Sequence, residues 1–522
     1  MSAISPNVSL PELFRLTASQ YPNQVAINFS GTETSFSQLN QLSDQVAAGL
    51  AADGIVSGDH IALYCVNSDV FVIAYMGILK AGATVVPINL LLQPVEIEYI
   101  LNDAEVKAMI YHEAFAASVS AFRNNTTSVK LYYNIGPQQS DISDIDWQQL
   151  LSQASEPPSV EINPQQQVAS ILYTSGTTGK PKGAMLTHQN LAADVEGVRQ
   201  ALDISSQDRF LVVLPMFHAF AATVGMIAPL LTGATILPVP KFEPDIVATT
   251  VGSLSASIFL GVPSIYNVML NMTDDQVAKF KTLRVCISGG AAMPAALMKK
   301  FEQRFSIGIM EGDGPTECGP VTCVNPLHGT RKATSVGLPI AGVEMSIRDI
   351  HGHEVPREVI AEICVRGKNV MKGYWKNPVA TSESFFADWF RTGDLGYEDK
   401  DGYFYIVDRI KDMIIVNGMN VYPRVVEEVL YQHEAISEAA VIGEPNELHG
   451  ETVVACIALK PSYQAEIADI RAFCRERLGK HQVPRKIFVL ESLPKNAAGK
   501  ILKRELRKNG ELERGVDSRV EA

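Results

Sequence analysis

Positive charge is scarce in this chain. Lysine and arginine number 44 against 57 aspartates and glutamates, a formal net charge of −13. That excludes a general nucleic-acid binder, which needs a basic face. It does not exclude a locally basic nucleotide or CoA site. Cysteine is scarce too. The seven cysteines are scattered, with no Cys-x-x-Cys and no Cys/His spacing for zinc, which excludes a disulfide scaffold and a zinc module and makes a reducing cytosol the natural setting. Residues 1–10 lack a charged region followed by an apolar one, so no signal peptide is expected. Unbroken apolar runs are missing as well. Residues 71–92 contain Lys80, Gly82 and Pro87, and residues 219–240, though uncharged, are interrupted by Gly225, Pro229, Gly233 and Pro238. Both read as buried core rather than membrane spans. No internal repeat stands out.

What is present is apolar material for more than one core, 46% of the residues, in a chain of 522. Length suggests about three domains or large subdomains. The first third alternates between helical and strand periodicity. Helices are predicted over 11–20, 35–52 and 70–81, and strands over 25–29, 60–66 and 84–88. Such alternation implies βαβ units and parallel sheet. Residues 153–167, rich in Pro, Glu, Ser and Gln, read as a surface connection. Thr187 is a good N-cap for a helix over 188–202. Strands are predicted over 210–214, 235–239, 257–261 and 284–288. From 335 to 391 short strands and turns dominate (343–347, 361–366 and Gly373-Tyr374-Trp375), suggesting a β-rich subdomain. Beyond Ile410 a compact α+β unit follows, with helices over 425–431 and 466–478 and strands over 439–442, 452–459 and 486–490. The expected fold is α/β: a large N-terminal domain, 1–409, of βαβ-type subdomains plus a β-rich subdomain, and a small α+β C-terminal domain, 410–522.

The densest chemical signal is Tyr173-Thr174-Ser175-Gly176-Thr177-Thr178-Gly179-Lys180-Pro181-Lys182-Gly183. It follows the apolar residues 168–172, which read as a buried strand. Glycines let the backbone approach a ligand and turn N–H groups inward. Hydroxyls and ammonium groups add donors for phosphate oxygens. This is a phosphate-cradling loop, and not a Walker A loop, because Gly179-Lys180 is followed by proline rather than Ser or Thr. A plain surface turn is the alternative reading.

Four further clusters accompany it: Met310-Glu311-Gly312-Asp313-Gly314-Pro315-Thr316-Glu317-Cys318, Trp389-Phe390-Arg391-Thr392-Gly393-Asp394-Leu395-Gly396, the run from Val407 to Pro423, and Pro494-Lys495-Asn496-Ala497-Ala498-Gly499-Lys500-Ile501-Leu502. Singly, Thr392-Gly393-Asp394 reads equally as a turn, and Gly314-Pro315-Thr316-Glu317 as a capped helix start. Together and in this order they resemble the adenylate-forming superfamily of acyl-CoA synthetases, luciferases and nonribosomal peptide synthetase adenylation domains, over nearly the whole chain. Asp408-Arg409-Ile410-Lys411-Asp412-Met413-Ile414, followed by Asn417-Gly418-Met419-Asn420-Val421-Tyr422-Pro423, resembles bacterial medium- and long-chain fatty-acid–CoA ligases most.

That resemblance implies a two-step reaction. A carboxylate attacks the α-phosphorus of ATP to give acyl-AMP and pyrophosphate, and the thiol of CoA then displaces AMP. Charge neutralisation and alignment dominate such chemistry. By the same resemblance, Thr174, Ser175, Gly176, Thr177, Thr178, Gly179 and Lys182 hold the β- and γ-phosphates. Glu317 and Thr174 ligate Mg²⁺, and Thr316 meets the α-phosphate. Gly290, Ala291, Glu311, Gly312 and Asp313 surround the nucleotide. Asp394 and Arg409 take the ribose, and Lys500 bridges the substrate carboxylate and the α-phosphate. Phe217, His218, Val262 and Gly290 line the acyl site. A mobile small domain hinged at Lys411 brings Gly418 to the pantetheine arm. His218 reads equally as a satisfied core histidine. Asp313 is a departure, since many relatives carry an adenine-stacking aromatic there; a carboxylate offers an acceptor instead. Asn496 and Ala361 depart from a common threonine and glycine.

The resemblance implies a fatty acid, ATP and CoA as substrates, Mg²⁺ as cofactor, no nucleic-acid partner, and a cytoplasmic enzyme. It leaves peripheral contact with the inner face of the membrane and homodimerisation open. The alternatives are a 4-coumarate or other aryl-CoA ligase, an acyl-AMP ligase that loads a carrier protein, and a catalytically silent nucleotide-binding module.

Overall fold

The computed structural model describes residues 3–152, 156–174, 180–446, 448–460, 463–496 and 499–508. Ser175, Gly176, Thr177, Thr178 and Gly179 of the phosphate loop lie outside the described residues.

The βαβ pattern builds two sheets. One orders its eight strands as Gly373–Tyr374, Lys182–Thr187, Val168–Thr174, Thr84–Pro87, His60–Tyr64, Ala108–His112, Leu131–Ile135 and Ile145–Asp146. It is parallel from Val168–Thr174 onward. The other has nine strands around a parallel run of Ile309–Asp313, Val285–Ser288, Ile258–Gly261, Arg209–Val212, Thr235–Pro238 and Val25–Phe29. Strands buried on both faces read as continuous apolar runs, which is why these were visible in the sequence. The helices obey local rules. Ser35 and Gln38 form a reciprocal capping box before Phe36–Ala52, and Thr187 with Asn190 does the same before His188–Ala201.

The uncharged stretch near residue 220 is core. It forms a π-helix, Ala221–Ile227, running into the α-helix Ala228–Thr232, with every residue of both buried. Among the described residues no helix is long and apolar enough to cross a membrane. All seven cysteines are free and buried.

Three placements differ from expectation. Gly373–Tyr374 does not join the β-rich subdomain. It pairs antiparallel with Lys182–Thr187 at the edge of the eight-stranded sheet. Lys182–Thr187 forms a strand that the sequence reading did not include, antiparallel to Val168–Thr174. Residues 389–396 lie within a ten-residue strand, Trp389–Glu398, so the Thr-Gly-Asp is not a free turn. That strand pairs with Ala361–Gly367, Phe385–Phe386 and Phe404–Arg409 in an antiparallel sheet that also holds Val343–Arg348.

A short 3₁₀ turn, Ile410–Asp412, then leads to the fourth sheet, of Met419–Val421, Ile414–Val416, Gly450–Leu459, Ile436–Asn446 and Lys486–Leu490. The helices Pro423–Tyr431 and Ile467–Arg475 cover it. Val426, Leu430, Ile470 and Cys474 form part of its separate core.

Candidate active site

The site forms beyond the carboxyl ends of Val168–Thr174, Val285–Ser288 and Ile309–Asp313, where ligands bind in open α/β sheets. Glu317 sits on the 3₁₀ turn Thr316–Cys318 that follows Ile309–Asp313. Its Oε1 accepts from the Tyr374 hydroxyl at 2.9 Å and from Thr174 Oγ1 at 3.4 Å. The turn is tightly held. Met371 N–H donates to the Glu317 carbonyl at 2.7 Å, and Asn369 Nδ2 to the Cys318 carbonyl at 2.7 Å. Asp194, buried on the helix His188–Ala201, accepts from Val321 N–H at 3.0 Å. Burial pushes the Tyr374 phenol well up, so it stays a donor. The Lys182 ammonium lies 5.2 Å from the centre of the Tyr374 ring, a cation–π distance. Thr174, Lys182, Glu317 and Tyr374 thus converge.

A second group comes from the antiparallel sheet. Asp394 and Arg409 are cross-strand partners, with Arg409 Nε 3.4 Å from Asp394 Oδ1. Glu362 fixes this bend by accepting from Gly393 N–H and from Arg391 Nε and Nη2. Burial pushes Asp394 up to about 7, with Arg409 opposing and Asp313 adding to the rise. Burial raises Asp313 as well, opposed by Lys500, Arg409 and Arg424.

Lys500 reaches the same place from the C-terminal domain. Asn496 Oδ1 accepts its N–H at 2.9 Å, and Ser264 Oγ donates to the Gly499 carbonyl at 3.2 Å. Gly499 has φ +79°, and a Cβ there would come within 2.6 Å of Ser264 Oγ and 2.9 Å of Val262 Cγ2. Glycine is therefore required both by the backbone and by the close approach. Burial and the positive charge of Arg409 bring Lys500 down to about 8, against Asp394 and Asp313.

Beside these groups a narrow cleft runs inward. Its polar and small lining includes His218, Gly289, Gly290, Gly312, Asp313 and Thr316, and its apolar lining includes Val198, Leu202, Val224, Ile287, Val321 and Val324. It encloses about 50 Å³. Burial first, then Lys500, lowers His218 to about 4, so its imidazole is neutral at neutral pH. The loop carrying it is pinned by Asn67. Its Oδ1 accepts from Met216 N–H at 2.8 Å, and its Nδ2 donates to the Leu214 carbonyl at 2.9 Å.

Most of the residues singled out in the sequence meet here. Thr174, Lys182, His218, Gly290, Gly312, Asp313, Thr316, Glu317, Asp394, Arg409 and Lys500 form one site, with Val262 packed between Gly290 and Gly499. Ala291 follows Gly290 in the chain. Four others lie apart. Phe217 is buried outside the cleft lining. Glu311 is buried, its carboxylate turned to Met293 N–H. Gly418 sits on an exposed hairpin with open space around it. Lys411 lies in the connecting turn. Sequence reasoning missed Tyr374, Asn67, Asp194 and Ser264. Only Tyr374 had a signal, as part of Gly373-Tyr374-Trp375.

Two family models match the chain: the AMP-binding enzyme over residues 14–375, and the AMP-binding enzyme C-terminal domain over 425–500. A long-chain-fatty-acid–CoA ligase of Bacillus subtilis is 35% identical over 96% of this chain and 94% of its own. A feruloyl-CoA synthase of Amycolatopsis is 33% identical over 93% and 96%. Among solved structures, the anthranilate CoA ligase AuaEII in complex with anthranoyl-AMP superposes with a TM-score of 0.91 at 29% identity, covering 98% of this chain and 99% of that one. With its phosphate-loop strands, Glu317, Asp394 and Lys500 gathered at one cleft, the chain belongs to the AMP-binding, adenylate-forming enzyme superfamily, as an AMP-forming acyl-CoA ligase.

Proposed function

We propose that the acid this ligase activates is a medium- to long-chain fatty acid. The carrying observation is the apolar lining of the cleft: Val198, Leu202, Val224, Ile287, Val321 and Val324 offer no charge to an amino group or a second carboxylate. Burial of methylenes against such a wall contributes about 0.8 kcal/mol each. The enclosed space is small, about 50 Å³, against the hundreds of Å³ of ordinary ligand pockets. A long chain therefore has to displace lining side chains. That small space, with the feruloyl and anthranilate relatives, favours an aryl acid as the second reading.

In this reading the residues divide the labour as follows. Asp394 accepts from the ribose hydroxyls and Arg409 adds a donor. The phosphate loop and Lys182 hold the departing pyrophosphate. Lys500 places its ammonium between the acid and the α-phosphate, where charge builds in the first step. Thr316 donates to the α-phosphate. Neutral His218 lines the acyl cleft without adding charge beside Lys500.

Glu317 with Thr174 fits Mg²⁺. One carboxylate and one hydroxyl suit a hard cation that keeps waters and takes phosphate oxygens for the rest. When bound, it neutralises phosphate charge.

For the second step, the C-terminal domain, 410–522, turns about Lys411. That withdraws Lys500 and brings Gly418 to the site. Rotation at such a short connection is a known mode of domain movement. The open space around Gly418 and its φ of +77° suit a close approach by the pantetheine arm.

The test is CoA- and ATP-dependent AMP release across a chain-length series of fatty acids together with coumarate, ferulate and benzoate. A maximum among fatty acids of eight carbons or more is expected. Activity confined to the aromatic acids would replace this reading with the second one.

A further inference from the structure

We propose that Arg424 is a positioning residue: it latches the C-terminal domain in the pose that forms the acyl-adenylate. The inference rests on the proposed turn of that domain about Lys411.

Arg424 is the second residue of the helix Pro423–Tyr431, yet it is only 9% exposed. Arginine at an exposed helix start would be solvated; here it is committed to partners across the domain boundary. Nη1 donates to the Ile406 carbonyl at 2.7 Å and Nη2 to the Thr334 carbonyl at 3.4 Å. Nη2 also lies 3.8 Å from Glu311 Oε1. Its backbone N–H donates to Asp408 Oδ2 at 2.8 Å. Thr334, Glu311, Ile406 and Asp408 all precede the turn Ile410–Asp412, whereas Arg424 follows it. Any rotation about Lys411 therefore breaks all four contacts together.

One helical turn on, Glu428 repeats the arrangement. Its carboxylate lies by the N-terminus of the helix Ala295–Phe305, which begins after Pro294 with no side-chain cap. A negative charge from the other domain suits such a helix N-terminus. Arg424 lies close enough to interact with both Glu311 and Glu428.

The helix is tied to the catalytic loop. Glu427 Oε1 is 2.8 Å from Lys503 Nζ and accepts from Val441 N–H at 2.7 Å. Lys503 is three residues past Lys500. Fixing Arg424 therefore helps to fix where Lys500 falls, together with the Ser264 to Gly499 bond and the bond from Asn267 Nδ2 to the Ser437 carbonyl. Glu311, for its part, lies on the strand that ends at Asp313, so the latch meets the strand that lines the cleft. Glu311 is also the residue whose side chain turned away from the nucleotide region. Holding Arg424 gives that buried carboxylate a charge partner.

The test separates the two half-reactions. Acyl-dependent ATP–pyrophosphate exchange reads the first, and thioester formation from supplied acyl-AMP and CoA reads the second. Arg424→Met, which keeps an apolar stem, should lower exchange by about tenfold or more while leaving the second within about twofold. Arg424→Lys should recover part of the loss, since it restores charge but not the forked donors. Equal losses in both halves, or no loss in exchange, would overturn the latch. Glu428→Gln, at a less buried site, guards against misfolding. If Arg424→Met loses its thermal unfolding transition, Glu428→Gln decides alone: a selective fall in exchange supports the latch, and unchanged exchange overturns it. Lys500→Ala in the same two assays tests the underlying reading. If it depresses both halves alike, the domain turn itself fails. If it is selective while Arg424 and Glu428 are not, only the latch fails.

Discussion

The two sides of the cleft are built differently. Glu317 rests on a turn held by Met371, Asn369 and Asp194, all from the large domain, and its carboxylate is already met by Tyr374 and Thr174. Lys500 stands on a loop held from within by Asn496, and it meets the large domain through the Ser264 to Gly499 bond. A pre-arranged carboxylate suits a group that must be in place for every nucleotide that enters. A loop with few bonds to the body suits a group that is delivered for one step and then removed. With the proposed domain turn, this difference lets one cleft serve two reactions without rebuilding its nucleotide half.

Breaking the delivered side should cost most. Lys500→Ala is expected to lower acyl-adenylate formation by about 10²–10³, the loss seen when a donor aimed at developing charge is removed. Thioester formation from supplied acyl-AMP should stay near the wild-type rate, because the proposed domain turn withdraws Lys500 for that step. Stopped single-turnover measurements of each half check this.

Proton concentration should distinguish the two sides next. For adenylation, kcat/KM reports groups of the free enzyme. Asp394, raised to about 7 chiefly by burial, is protonated below that pH. The ribose acceptor is therefore lost as pH falls through about 7. Lys500, lowered to about 8 chiefly by burial, loses its proton above that pH. The bridging charge is therefore lost as pH rises through about 8. A bell between these limbs is expected, with each limb falling about tenfold per pH unit. Lys500→Arg should remove the alkaline limb and leave the acid one. If both limbs move together, the two limbs do not belong to Asp394 and Lys500 separately.

The smallest effect is expected on the pre-arranged side. Tyr374→Phe removes one hydrogen bond to Glu317, worth about 1 kcal/mol, or roughly a fivefold rise in the KM for ATP with Mg²⁺. Initial rates over an ATP series check it. A change confined to the thioester step would mean that Tyr374 does not act through Glu317.

Much of this was legible in the primary structure, and the reasons are local. The strand Val25–Phe29 lies where a short apolar run predicts it, and Thr187 caps its helix as its position before His188 implies. The motif residues Glu317, Asp394, Arg409 and Lys500 carry their chemistry in their type and order. What escaped was set by distance. Gly373–Tyr374 is too short a strand to declare its partner, and its pairing with Lys182–Thr187 is what brings the Tyr374 hydroxyl to Glu317. Asn67 and Asp194 belong to none of the chemical motifs. Nothing nearby in sequence marks the backbone groups they satisfy, 149 and 127 residues away. Arg424 resembles any solvated helix-start arginine until Thr334 and Glu311 are seen beside it.

The elements, the family and the motif residues follow from the order of amino acids, because capping, periodicity and side-chain type act over a few residues. Which of those groups meet follows from the folded arrangement. It divided the strands among four sheets, turned the Glu311 carboxylate to Met293 N–H, lowered Lys500 through burial and the nearby Arg409, and seated the Lys500 loop against Ser264. Those outcomes depend on desolvation and on contacts between residues from 18 to 235 positions apart, which no local pattern encodes.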